Sequence, residues 1–273
     1  MKPIEIYEVG PRDGLQAFSH TILLQDKVDL IKALVSAGLI DIEVGSLVHP
    51  KLVPSMADSD EVFKKVWHLD ACLGLLVPNN KGIERAKKLG ATYYNIFFSP
   101  MPSFNIANHG KTYQEVVDQY YISLDGIPKE NIRVYLSMAF HSNKNEINKA
   151  MKDACNLGST VVLCDTDGTA TNEEVYHTIR RAKQHTDNIA LHLHKSTKLF
   201  QHIATAYEMG VTQFDSSIGG MGGCPFVEGS ESNLATEELV KWCNQMHIPC
   251  GVSLEDLDPA LEIVKRIKAP HQL

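Results

Sequence analysis

Short apolar runs and longer amphipathic stretches alternate eight times along this chain, a rhythm that few folds accept. The apolar runs, at residues 4–9, 40–44, 70–76, 93–98, 133–138, 160–164, 188–193 and 213–216, have the length of strands. Helical patterns lie between them, at residues 25–37, 59–66, 81–89, 113–124, 146–157, 172–184, 199–209 and 236–246. Glycine stands where several helices should close, at Gly38, Gly90, Gly158 and Gly210, and each leads straight into the next run. Eight strand–helix units in series predict an α/β fold, a parallel sheet closed into a (β/α)8 TIM barrel. Residues 254–268 add one further C-terminal helix outside it. A doubly wound open sheet is the next choice, and the regularity of the units favours closure.

At 273 residues the chain is long for one domain, but parallel barrels reach this size as a single unit, so residues 1–273 are read as one domain. A hydrophobic content of 44% is enough for a substantial core. The net charge of -7 argues against nonspecific binding to nucleic acid or to an anionic membrane. No apolar run approaches the ~18 residues that span a bilayer. Met1-Lys2-Pro3 runs almost at once into the first strand and leaves no room for a targeting peptide, which predicts a cytoplasmic protein. Six cysteines without a Cys-x-x-Cys pairing read as reduced thiols rather than a disulfide framework.

The barrel has a consequence for chemistry, because active sites of this fold lie at the C-terminal ends of the strands. The sequence puts Arg12 and Asp13 after the first strand, Glu43 at the end of the second and Asp165 after the sixth. His192 and His194 end the seventh, and Ser216 and Ser217 follow at the eighth. Residues at i and i+2 of a strand face the same side, so the two imidazoles converge, and a divalent metal is the usual partner for such a pair. Single members of this ring could be strand-end caps or ion pairs. A whole ring of buried ionisable groups is poorly explained by packing.

These residues sit in motifs that resemble the 3-hydroxy-3-methylglutaryl-CoA lyases of the DRE-TIM metallolyase superfamily. The resemblance runs through Glu8-Val9-Gly10-Pro11-Arg12-Asp13-Gly14-Leu15-Gln16, Ile42-Glu43-Val44-Gly45-Ser46 and the stretch from His49 to Asp58. It continues through Asp165-Thr166-Asp167-Gly168, Asp215-Ser216-Ser217, Gly222-Gly223-Cys224-Pro225 and Asn233-Leu234-Ala235-Thr236-Glu237. The resemblance implies that Asp13, His192, His194 and Asn233 hold a divalent cation, Mg²⁺ or Mn²⁺. It implies that Arg12 neutralises a thioester oxygen as it becomes an enolate, and that Glu43 and Asp165 hold the arginine and the metal shell in place. Cys224, on its glycine-rich loop, would be the thiol that exchanges a proton with the substrate carbon, although an inert loop thiol is the ordinary alternative. The implied reaction is retro-Claisen cleavage of 3-hydroxy-3-methylglutaryl-CoA to acetyl-CoA and acetoacetate, with Asp13 or His192 as base. The resemblance also implies a homodimer and a place in leucine degradation.

Some positions depart from that pattern. The family follows its second metal histidine with Asp-Thr-Tyr-Gly, where this chain has Lys195-Ser196-Thr197-Lys198. An inward ammonium there would weaken a cation site, and an outward one would matter little. The chain is also one residue short between His192 and Gly223. The loop from Ser99 to Phe104 looks divergent, and His141 is an additional imidazole at the barrel mouth. Three readings follow: the lyase above; a related lyase or a Claisen-condensing enzyme acting on another acyl-CoA; or a barrel that binds acyl-CoA without catalysis. The last rests on Lys195.

Overall fold

Every apolar run becomes a strand, and the eight strands close on themselves. The computed structural model describes residues 1–223 and 232–269. The strands are β1 (Glu5–Glu8), β2 (Asp41–Ser46), β3 (Cys72–Leu76), β4 (Tyr93–Phe98), β5 (Ile132–Leu136), β6 (Thr160–Asp165), β7 (Ile189–Leu193) and β8 (Gln213–Ser216). All pair in parallel in chain order, and β8 returns to β1, with Ile6 opposite Phe214 and Glu8 opposite Ser216. The structure is a TIM barrel.

Helices α1 (Leu24–Ser36), α2 (Ser59–Val66) and α3 (Asn80–Leu89) cover the first strands, then α4 (Pro102–His109), α5 (Tyr113–Ser123) and α6 (Lys144–Leu157). The ring ends with α7 (Asn172–Ala182), α8 (Leu199–Glu208), α9 (Thr236–Gln245) and α10 (Leu254–Lys268). Thr112, Asn143 and Thr171 start α5, α6 and α7 with reciprocal capping boxes to Glu115, Glu146 and Glu174. The extra C-terminal helix α10 packs on α1, where the half-exposed Arg266 reaches the buried carboxylate of Asp26 at 2.6 Å. No helix among the described residues is long and apolar enough to cross a membrane.

The structure corrects four local expectations. Helix α4 falls in the loop after β4, where no periodic pattern announced one; Pro102 opens it, and Gly110, at φ 63°, closes it. Strand β5 ends at Leu136 because Met138 has φ 57°, which turns the chain out of the sheet. Strand β2 is shifted to start at Asp41, leaving Ile40 57% exposed. Gly38, Gly90 and Gly210 have the left-handed conformation of helix closure, but Gly158 is extended at φ -141°. Its requirement is space: a Cβ there would lie 2.5 Å from the Ile132 carbonyl oxygen.

The outer faces of the strands carry the main hydrocarbon core against the helices. The barrel interior is different. A small apolar cluster of Tyr135, Val162, Cys164 and Ala190 fills one side, while Tyr7, Glu43, Asn95, Arg133 and Asp215 are buried beside it. That polar column stands directly below the strand ends.

Candidate active site

After β1 the chain winds through a five-residue π-helical turn, Gly10–Gly14, with Pro11 preset for the second position. The Val9 carbonyl takes the N–H groups of Arg12, Asp13 and Gly14. Glu8 secures the turn from below, accepting from Gly10 N at 2.7 Å, from Ile218 N at 2.9 Å and from Thr236 Oγ1 at 2.5 Å. Burial pushes the Glu8 carboxyl up to about 7, against these three donors.

The turn lifts Arg12 and Asp13 over the barrel mouth. Arg12 donates to Asp13 and to Glu43, and Asn95 Nδ2 binds the other Glu43 oxygen at 2.8 Å. A register shift between Glu43 and Gly45 in β2 accompanies this inward carboxylate. Burial opposes charge on Arg12, and the Glu43 and Asp13 carboxylates outweigh it and raise the guanidinium pKa. Burial likewise opposes charge on Asp13, and Arg12, the two histidines and the Asn233 hydrogen bond together outweigh it and hold the carboxyl below its usual range.

Asp13, His192 and His194 each offer a ligand atom, all within 4.8 Å of one another. The two imidazoles stand nearly perpendicular with centroids 5.2 Å apart. His194 is fixed through Nδ1 to the Asp165 carbonyl at 3.0 Å, and His192 through Nδ1 to Asp215 Oδ2 at 3.2 Å. Both rings therefore turn their Nε2 atoms away from those anchors. Burial, reinforced by the neighbouring His192, pushes His194 down to about 4 and keeps it neutral.

Asn233 completes the group. Its Nδ2 donates to Asp13 Oδ2 at 2.7 Å and to the Met221 carbonyl at 3.0 Å, while its buried Oδ1 has no hydrogen-bond partner. A buried carbonyl oxygen without a donor is costly, and a cation would satisfy it. Gly222, at φ +104°, is required here, since any Cβ would collide with the Asn233 amide. One carboxylate, two imidazoles and an amide oxygen fit a divalent cation of mixed oxygen and nitrogen preference.

Below the site, Asp215 takes Arg133 on Oδ1 at 2.5 Å, and Arg133 lies 4.3 Å from the Tyr7 ring centroid. These supporting residues were absent from the candidate set read from the sequence. The signal was present: Arg133 and Asp215 are charges at inward positions of otherwise apolar strands.

The remaining candidates are placed as follows. Asp165 ends β6 fully buried, accepting from Ala170 N on Oδ1 at 3.2 Å. Ser216 bonds Thr236 Oγ1 at 2.8 Å and so belongs to the Glu8 network, and Ser217 is buried beside it. Lys195 is exposed, with only its backbone N–H tied inward, to the Ser232 carbonyl at 2.7 Å. His141 is half-buried against Asp167, 3.0 Å away. Cys224 lies outside the described residues. Arg12, Asp13, Glu43, His192, His194 and Asn233 thus converge, with Asp165 adjoining them through its carbonyl.

The sequence matches the model of the HMGL-like family over residues 3–264. The hydroxymethylglutaryl-CoA lyase of Bacillus subtilis is 35% identical over 270 residues, covering 94% of this chain and 90% of that protein. The mitochondrial hydroxymethylglutaryl-CoA lyase of Arabidopsis thaliana is 33% identical over 278 residues, covering 97% of this chain; the chain spans 59% of that protein's length. Among solved structures, an HMG-CoA lyase from Acinetobacter baumannii, in complex with coenzyme A and 3-methylmalate, superposes with a TM-score of 0.90. It is 29% identical, with 97% of this chain and 91% of that chain covered. The extent of the family match and the identity to these lyases agree: the chain belongs to the HMGL-like family.

Proposed function

We propose that this protein is a metal-dependent carbon–carbon lyase that cleaves 3-hydroxy-3-methylglutaryl-CoA to acetyl-CoA and acetoacetate. The observation that carries the reading is the unpartnered Asn233 Oδ1 beside Asp13, His192 and His194, with the buried Arg12 guanidinium at the same point. A divalent cation held by Asp13, His192, His194 and Asn233 would acidify the substrate hydroxyl. Asp13 and His192 are the groups in place to accept that proton. The C2–C3 bond then breaks, the ketone of acetoacetate forms, and the bond electrons move into the thioester as an enolate. Arg12, held by Glu43 and Asp13, faces the developing charge without reorganising. Cys224 donates its thiol proton to C2, giving acetyl-CoA, and regains a proton through solvent. Asp165 acts through its carbonyl, which orients His194.

The finer assignments are part of the same proposal: Mg²⁺ or Mn²⁺ as the ion, residues 1–273 as one catalytic domain, a homodimer, and cytoplasmic leucine degradation as the setting. The coenzyme A in the Acinetobacter structure supports an acyl-CoA as the substrate. The exposure of Lys195 removes the main support for a non-catalytic barrel. The test is acetoacetate release from 3-hydroxy-3-methylglutaryl-CoA with Mn²⁺ and with chelator. Turnover that needs the metal and disappears in Cys224→Ala is expected; no turnover with metal bound would sink the substrate assignment.

A further inference from the structure

A second group of side chains stands at the rim, and the proposed chemistry leaves its imidazole and one of its carboxylates unused. His141 lies in the turn Ala139–His141 after β5, and Asp165 and Asp167 lie at and after the end of β6. The two segments are tied together, since Met138 N donates to Thr166 Oγ1 at 2.9 Å. His141, Asp165 and Asp167 each bring one ligand atom within 4.8 Å of the others. His141 Nε2 is 3.0 Å from Asp167 Oδ1 and 3.2 Å from Thr169 Oγ1, and Thr169 N donates to the same Asp167 oxygen at 3.2 Å.

Asp165 is the member that this network does not satisfy. It is 1% exposed, its Oδ1 takes a single donor from Ala170 N, and its Oδ2 has none. One of its carboxylate oxygens lies within 4.8 Å of an Asp167 carboxylate oxygen. Two carboxylates this close repel unless a proton or a cation stands between them. His141 faces Asp167 and Thr169 and leaves the Asp165 oxygen bare. A cation at the shared point answers all three groups at once.

We propose that His141, Asp165 and Asp167 form a second divalent-cation site, with ligands separate from the Asp13–His192–His194–Asn233 set. One imidazole and two carboxylates suit a borderline ion such as Mn²⁺ better than Mg²⁺. The two sets share no ligand atom and are joined through the His194–Asp165 carbonyl bond. With three protein ligands, the ion keeps positions open for water or an anionic oxygen arriving at the mouth.

The test counts ions and needs no substrate. The full chain is titrated with Mn²⁺ alone, and free Mn²⁺ is read by electron paramagnetic resonance. Two ions per chain are expected in the wild type, and one each in Asp167→Asn and His141→Gln, with Asp13→Asn also retaining one. A single ion in the wild type, or two in both rim variants, overturns the site. Loss of both ions in both rim variants overturns it too, because the cluster would then only support the first site. Failure of lyase activity with two ions counted would reject the substrate assignment and leave this inference standing.

Discussion

His194 donates its Nδ1–H to the Asp165 main-chain carbonyl across 3.0 Å, and a carbonyl can only accept. The tautomer is thereby fixed, with the Nε2 lone pair directed to the side where Asp13 and His192 converge. The backbone of one strand end thus presets the ligand atom of the next.

His194→Ala removes that lone pair. It should weaken Mn²⁺ binding by about 100-fold or more, since even partners one step behind a ligand are worth roughly 10–100-fold. Competition against a metallochromic indicator measures it. Near-wild-type affinity would mean that the ion sits elsewhere.

Asp215 acts through His192 and also neutralises Arg133. Asp215→Asn should lower Mn²⁺ affinity by about 10–100-fold. It should also cost roughly 3 kcal/mol of stability, because the Arg133 guanidinium stays buried without its counter-ion. Urea denaturation and metal titration on the same variant separate the two effects.

Arg12→Met should reduce kcat by about 100–1,000-fold while Mn²⁺ binding persists. A matched loss of metal affinity would instead make Arg12 a support for Asp13.

The Glu8 carboxyl, raised to about 7 by burial, makes stability depend on pH in an unusual direction. The unfolded chain ionises this group near 4.5 and the folded chain near 7. Its favourable contribution is therefore present below pH 4.5 and is lost as pH rises through 7. Across that window the change is about 3 kcal/mol. Glu8→Gln loses an acceptor at every pH, so the informative quantity is the slope. Stability of wild type minus variant should fall between pH 5 and 8, and a flat difference would refute the assignment.

Lys195 is solvent-exposed beside the site. Lys195→Glu should change Mn²⁺ affinity by less than about threefold at physiological salt, where exposed charges are screened. A larger change would place the ammonium in the field of the ion.

The eightfold alternation was legible because each strand and each helix is a local pattern. The convergence of Arg12, Asp13, Glu43, His192 and His194 was legible because the barrel gathers strand ends whatever lies between them. Helix α4 was not, since Pro102 and Gly110 bound it without an apolar stripe. The Gly158 contact is long-range and depends on where β5 passes. Asp215 sat inside a quoted motif, yet its role needs the position of Arg133, 82 residues away in sequence. Cys224 remains an assignment from the glycine-rich motif, as it lies outside the described residues.

Asn233 forms an antiparallel bridge with His194, and its neighbours are pinned on both sides: Lys195 N to the Ser232 carbonyl, Leu234 N to that of Leu193, and Ser217 N to that of Leu234. Its amide also holds the Met221 carbonyl, on the near side of Gly222 and Gly223. Both ends of the intervening chain are therefore moored to the barrel before that chain begins. The amide that faces Asp13 is thus placed by barrel backbone, as rigidly as a side chain borne on a strand.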